Sequence, residues 1–155
     1  MNRWIGTIAK DLTQGAAAGI AATVPMSLAM KAAQRAGLVG KQPPRSITEN
    51  ALHAAGVPAS SPTVKTISTA NHFLIGASLG GVFAVLSRAM PPLRTGIGGA
   101  AFGLSVWGVS YEKLIPSLGL LPPASRDQPG RPLAVAAAHV VFGAALAGCL
   151  RALRR

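Results

Sequence analysis

The sequence predicts an all-α integral membrane protein, a four-helix bundle with a short interfacial helix between its first and second spans. Three observations predict it. Four stretches carry no charged residue: 12–30, 66–87, 95–111 and 132–150, which are 19, 22, 17 and 19 residues long. A hydrocarbon core about 30 Å thick takes about 20 apolar residues of helix. Only 12% of the 155 residues are charged and 50% are hydrophobic, whereas a soluble domain averages about 25% charged. Small residues also recur at spacing four in every stretch, the pattern that lets helices approach closely in lipid.

Span 1 is placed at about residues 12–33, with Pro25 as its kink; neighbouring helices can satisfy the carbonyl that a proline frees. The small residues after Pro25 fit a signal-peptide cleavage site. The apolar run is nevertheless too long for a signal core, and span 1 is expected to remain. In the polar connection that follows, Ser46 and Glu49 have capping-box spacing, and Gly56 supplies a stop. A short helix is therefore expected over residues 47–55, with Ile47, Ala51, Leu52 and Ala55 as an apolar stripe. Residues 58–63 read as plain loop. Span 2 covers 66–88. The turn Met90-Pro91-Pro92 leads into span 3 at 95–111, so spans 2 and 3 are expected as antiparallel neighbours. Residues 114–123 are apolar but broken by Pro116, Gly119, Pro122 and Pro123, which suits the interface rather than a crossing. After a polar loop over 125–131, Pro132 opens span 4 at 132–150 as a favourable first helical residue. Four short helices make one domain, residues 1–155.

The net charge is +11, from 15 Lys and Arg against four Asp and Glu. Nucleic acid is not the expected partner, because the basic residues sit at helix ends and loops as ordinary span anchors and no recognition motif accompanies them. Arg3, Lys10, Arg88, Arg94, Arg151, Arg154 and Arg155 fall on one face, crowded into short segments. Lys31, Arg35, Lys41, Arg45, Lys65, Lys113, Arg126 and Arg131 are spread over the longer loops of the other. The short, crowded face is expected to be cytoplasmic, with both termini on it. Cys149 is alone, with no metal-site spacing around it.

Span 1 carries the ladder Gly15, Gly19, Thr23 and Ser27. Spans 2, 3 and 4 carry Gly76 and Gly80, Gly99 and Gly103, and Gly143 and Ala147. Residues four apart share a helix face. Three ladders continue into larger groups: His72 before Gly76, His139 before Gly143, and Trp107 and Tyr111 after Gly103. At about 1.5 Å per residue these groups are all displaced toward the face that carries the 35–65 connection. With Asn71 and Glu112 they define a candidate binding cluster at one mouth of the bundle: Asn71, His72, Trp107, Tyr111, Glu112 and His139. Ionisable groups within spans are costly, which points to function. Structural roles fit the same residues: a hydrogen-bonded histidine holding helices together, an aromatic belt, and an exposed Glu112 beside Lys113.

No phosphate loop, paired CxxC, HExxH or GxSxG motif is present. Ser105 and Ser110 have no spacing that selects a base for them. The expectation is a protein that is not an enzyme and holds no cofactor. Its partners would be the lipid bilayer and either further copies of itself or a larger membrane complex. Two alternatives stay open: proton-linked or small-solute transport past His72 and His139, which titrate between pH 5 and 8 when unperturbed, and a haem- or metal-binding redox protein using the same two histidines.

Thr23-Val24-Pro25-Met26, Pro43-Pro44-Arg45, Trp107 with Ser110-Tyr111, Leu121-Pro122-Pro123 and Ala138-His139, in that order, resemble small bacterial inner-membrane proteins of the YagU-like type. The resemblance covers most of the chain. It implies a multi-pass protein of the bacterial inner membrane, of unestablished activity and with a loose link to acid tolerance. No catalytic residue is implied.

Overall fold

The computed structural model describes residues 2–155, with side chains from Trp4 onward; Arg3, counted above among the face charges, lies outside the described side chains. Six helices follow in order among the described residues: α1 (Asn2–Arg35), α2 (Pro43–Ala54), α3 (Ser61–Ala89), α4 (Gly96–Val109), α5 (Ile115–Ser117) and α6 (Arg131–Leu153). No strand occurs among them. A 3-10 turn at Pro91–Arg94 joins α3 to α4, and a π turn at Ser110–Leu114 joins α4 to α5.

Helix starts depart from expectation where a proline stands in the first turn. Helix α2 begins at Pro43, not at residue 47, and its N-cap Gln42 makes no side-chain cap bond. A proline in the first turn gives up an N–H that has no intrahelical partner there, and its fixed φ suits the helix. Glu49 therefore does not close a capping box. Its carboxylate accepts from Lys41 Nζ at 2.5 Å and from Arg45 Nε at 3.1 Å. The Lys41 hydrogen bond, aided by Arg45, holds this carboxyl below its ordinary range. Gly56 stops α2 as expected: at φ +67° it lets Val57 N–H reach Leu52 O and Gly56 N–H reach His53 O, the paired bonds of a left-handed helix cap. Helix α3 likewise starts early. Ser60 caps it by accepting from Thr63 N–H at 3.4 Å, with Pro62 in the first turn, so residues expected as loop are helix.

The glycine ladders decide which helices meet. Helix α1 packs on α3 and on α6, and α4 packs on α6. On the α1–α3 seam, a Cβ built on Gly80 would stand 2.8 Å from Gly19 Cα, and one on Gly19 would stand 2.8 Å from the Gly76 carbonyl carbon. Thr23 Oγ1, donating to Gly19 O at 2.8 Å, occupies the space a Gly76 side chain would need. On the α4–α6 seam, a Cβ on Gly143 would stand 2.7 Å from the Gly99 carbonyl carbon, and one on Gly103 would stand 2.9 Å from that of His139. Real Cβ atoms do not come this close, so both seams are backbone against backbone.

Spans 2 and 3 are joined by the tight turn yet are not the close neighbours expected. Helix α3 meets α4 through the tilted Phe83–Phe102 ring pair, with centroids 5.0 Å apart, while its glycines face α1. The seam, not the shortness of the connection, selects the partner.

The two seams are related. Gly15-Ala16-Ala17-Ala18-Gly19-Ile20 of α1 parallels Gly99-Ala100-Ala101-Phe102-Gly103-Leu104 of α4. His72, Gly76, Ala77, Leu79 and Gly81 of α3 parallel His139, Gly143, Ala144, Leu146 and Gly148 of α6 at identical spacing. The second pair is slipped by one helical turn. Gly15 meets Gly80, whereas Gly99 meets Gly143, the counterpart of Gly76.

Large apolar side chains point outward along these helices, among them Leu28, Leu74, Ile75, Val109 and Leu133. Three helices are long and apolar enough to cross a membrane: Trp4–Arg35 within α1, then α3 and α6. Helix α4 has 14 residues, about 21 Å, and reaches beyond that only through the π turn and α5.

The seams make a sharp prediction. Gly80→Ala and Gly143→Ala each place a methyl group inside backbone van der Waals radii and should destabilise by at least about 1–3 kcal/mol. Gly108 and Gly148 have open space where a Cβ would go. Gly108→Ala and Gly148→Ala should be neutral or gain up to about 1 kcal/mol of helix propensity. Thermal melting in detergent of the four single variants decides it; equal melting of all four would refute the seams.

Candidate functional site

The described polar groups gather at the two ends of the helices. At one end stand residues expected from sequence, with partners that were not. Tyr111 is buried at the π turn, and its hydroxyl donates to Asp127 Oδ2. Asp127 Oδ1 accepts from Arg131 Nη1 at 2.9 Å and from Gln128 N–H at 2.6 Å, and Arg131 Nη2 donates to Gln128 Oε1 at 3.1 Å. The side chains of Asp127 and Arg131 are only 2% and 8% exposed. This is a buried ion pair with a tyrosine on its second oxygen. Trp107 stacks on Tyr111, with centroids 6.2 Å apart and planes 22° apart. Trp107 Nε1 and Arg131 Nε are buried with no hydrogen-bond partner.

The π turn carries this arrangement. An extra residue in one helical turn re-aims the side chains after it, and such bulges are frequent at functional sites. Tyr111 is turned inward toward the loop that holds Asp127, while its neighbours Glu112 and Lys113 stay exposed. Asp127 and Arg131 stand four apart at the start of α6, where the sequence reading saw a polar loop and an anchoring charge. Their spacing was visible; that both are buried was not.

The remaining expected residues do not join this pair. His139 lies on the α4–α6 seam, with its ring Nδ1 2.8 Å from Val135 O. A carbonyl only accepts, so Nδ1 carries the proton. His72 is half-buried on α3, edge-on to Phe73 at 6.3 Å. Asn71 and Glu112 are exposed, and Glu112 has no hydrogen bond or ion pair among the described residues. Among the described residues no three His, Cys, Asp or Glu side chains come together as a metal site. At this end the segment after α1 packs on the loop before α6. Val39 is buried, a Cβ on Gly40 would touch Gln128, and one on Gly130 would touch Leu38. From α2, Asn50 Nδ2 donates to Leu120 O at 2.7 Å.

The opposite end holds a second buried carboxylate. Asp11 is 2% exposed. Arg88 grips both its oxygens, Nε to Oδ2 at 2.6 Å and Nη2 to Oδ1 at 2.9 Å. Arg154 adds Nη2 to Oδ1 at 2.9 Å and also holds Ser87 Oγ and Ala84 O. Arg94 donates to the carbonyls of Ser87 and Arg88, and Gln14 to that of Leu153 at 3.0 Å. This latch ties α1, α3, α6 and the α3–α4 turn together. Sequence reading saw only anchoring arginines here, because contacts 77 and 143 residues apart in the chain leave no local pattern.

The Asp127 pair is testable. Asp127→Ala leaves Arg131 buried without its counter-charge and should cost about 3–5 kcal/mol. Adding Arg131→Leu to that variant removes the stranded charge and should restore most of the loss. Melting of the single and double variants in detergent reads both, and a double variant no better than the single one would refute the pairing.

A family model matches residues 9–155, and its description is Family of unknown function (DUF6789). No curated protein and no solved structure matches the chain.

Proposed function

The chain belongs to that family of unknown function, and from its own residues we propose that it is a multi-pass membrane protein with four crossings, acting as a non-catalytic accessory or interaction subunit. Helix α4, extended through the π turn and α5, would supply the fourth crossing beside the three helices that are long and apolar enough. The YagU-like motifs support the bacterial inner membrane as its place, and the crowding of Lys and Arg into the short segments of one face supports cytoplasmic termini.

The observation that carries the reading is the fate of the polar side chains. The charges buried at the two ends are turned on one another. The two span-3 hydroxyls that could serve as nucleophiles are spent on backbone: Ser105 donates to Ala101 O at 2.9 Å, and Ser110 to Val106 O at 2.7 Å. Neither is presented to a base, as nucleophilic chemistry requires. His139, tied at Nδ1 to a carbonyl on a glycine seam, fits a structural bond better than a relay. Meanwhile large apolar faces of every long helix remain uncovered, available to lipid, to another copy of the chain or to a larger complex.

Native mass spectrometry of the protein released in mild detergent tests this. A homo-oligomer or a stable complex with a larger membrane protein is expected. A clean monomer would count against the accessory role. Reporter fusions at residue 155 and at Gly56 should report opposite sides of the membrane, and the same side for both would refute the four crossings.

A further inference from the structure

Between the end of α3 and the end of α6 lies an open cleft of about 450 Å³. Helix α1 packs on both of these helices. The cleft's rim is arginine: Arg88, Arg94, Arg151, Arg154 and Arg155. Phe83, Ser87, Ala147 and Leu150 lie beneath the rim, all buried. No acidic residue lines it.

The five arginines are not equivalent. Arg88 and Arg154 are held on Asp11, and Arg94 is held on backbone carbonyls. Arg151 and Arg155 have no hydrogen bond or ion pair among the described residues. Asp11 behind the rim offsets one positive charge, so the cleft keeps a strong excess. Arginines fixed by other contacts are already ordered, and the free pair can close on a ligand. A guanidinium fork matches phosphate oxygens bidentately. The rim stands at the ends of apolar helices, where headgroups lie.

We propose that this cleft binds the phosphate headgroup of an anionic phospholipid through its arginine rim. Basic pockets between spanning helices are suited to such headgroups. The proposal rests on the membrane-spanning part of the reading above and is independent of the accessory role.

The full-length protein is reconstituted in nanodiscs and, separately, melted in detergent. The additives are phosphatidylglycerol, phosphatidylcholine or inorganic phosphate at fixed ionic strength. Phosphatidylglycerol should raise the melting temperature more than either of the others, and native spectra should retain one or a few of its molecules. Arg151→Gln with Arg155→Gln leaves the Asp11 latch intact. It should melt as wild type without lipid and bind phosphatidylglycerol at least tenfold more weakly. Lys113→Gln with Arg126→Gln removes the same charge at the other end and should bind as wild type. Equal stabilisation by inorganic phosphate would overturn the lipid as ligand. Unchanged binding in the first double variant, or equal loss in both, would overturn the site. A protein that does not enter nanodiscs at all would instead overturn the membrane reading.

Discussion

Backbone against backbone is the constraint on which this structure depends. Lipid offers no hydrophobic drive between helices, because its tails are as apolar as leucine. Association must come from contact itself, and dispersion is gained only at close range. Gly15, Gly19, Gly76 and Gly80 bring α1 and α3 together, and Gly99, Gly103 and Gly143 do the same for α4 and α6. Everything else in the fold follows from where these two seams put the helix ends.

Ends brought this close must dispose of their charges. The chain has four carboxylates against fifteen Lys and Arg, and three of the four are gripped: Asp11 by Arg88 and Arg154, Glu49 by Lys41 and Arg45, and Asp127 by Arg131 with Tyr111. The Asp11 grip joins α1, α3 and α6, and the Tyr111 hydroxyl joins the π turn to the loop before α6, whereas Glu49 is held locally by Arg45 of its own helix and by Lys41 just before it. A buried ion pair adds little net stability, because desolvation offsets the attraction. Its effect is on alternatives: with one partner absent the other charge is stranded, so slipped arrangements of the ends are disfavoured. The apolar faces are non-specific, and the pairs supply register.

Much of this was legible in the sequence, and the boundary is physical. Charge-free windows and glycine spacing are periodic, and a helix face can be read from them; the ladders pair as their spacing suggests. Which ladder meets which is a tertiary fact, and the short Pro91–Arg94 turn misdirected it toward α3 and α4. Pro43 starts α2 earlier than the Ser46 capping pattern allows, because φ restriction acts without a partner, and the Ser60 cap with Pro62 starts α3 early as well. At the candidate site, Trp107 and Tyr111 were found by extending the α4 ladder. Asp127 and Arg131 were missed because the π turn that aims Tyr111 at them has no composition of its own. Asp11 was missed because it marked the edge of a window, and a charge at an edge looks solvated until its distant partners are known.

The one-turn slip between the two related helix pairs explains why two histidines in the same sequence setting differ. In the first pair, Gly15 and Gly19 take up Gly80 and Gly76, and His72 falls one turn beyond the close contact. In the second, Gly99 and Gly103 take up Gly143 and the His139 backbone itself. The His139 carbonyl lies where Gly103 would carry a side chain, and its ring turns to Val135 O. Thr23, at the matching place in α1, uses its hydroxyl on its own helix; Trp107, at that place in α4, is too large to tuck in and lies against Tyr111. The slip thus opens room for an aromatic pair and a buried ion pair at one end of the second unit. The first unit has no such room and closes its seam with a threonine.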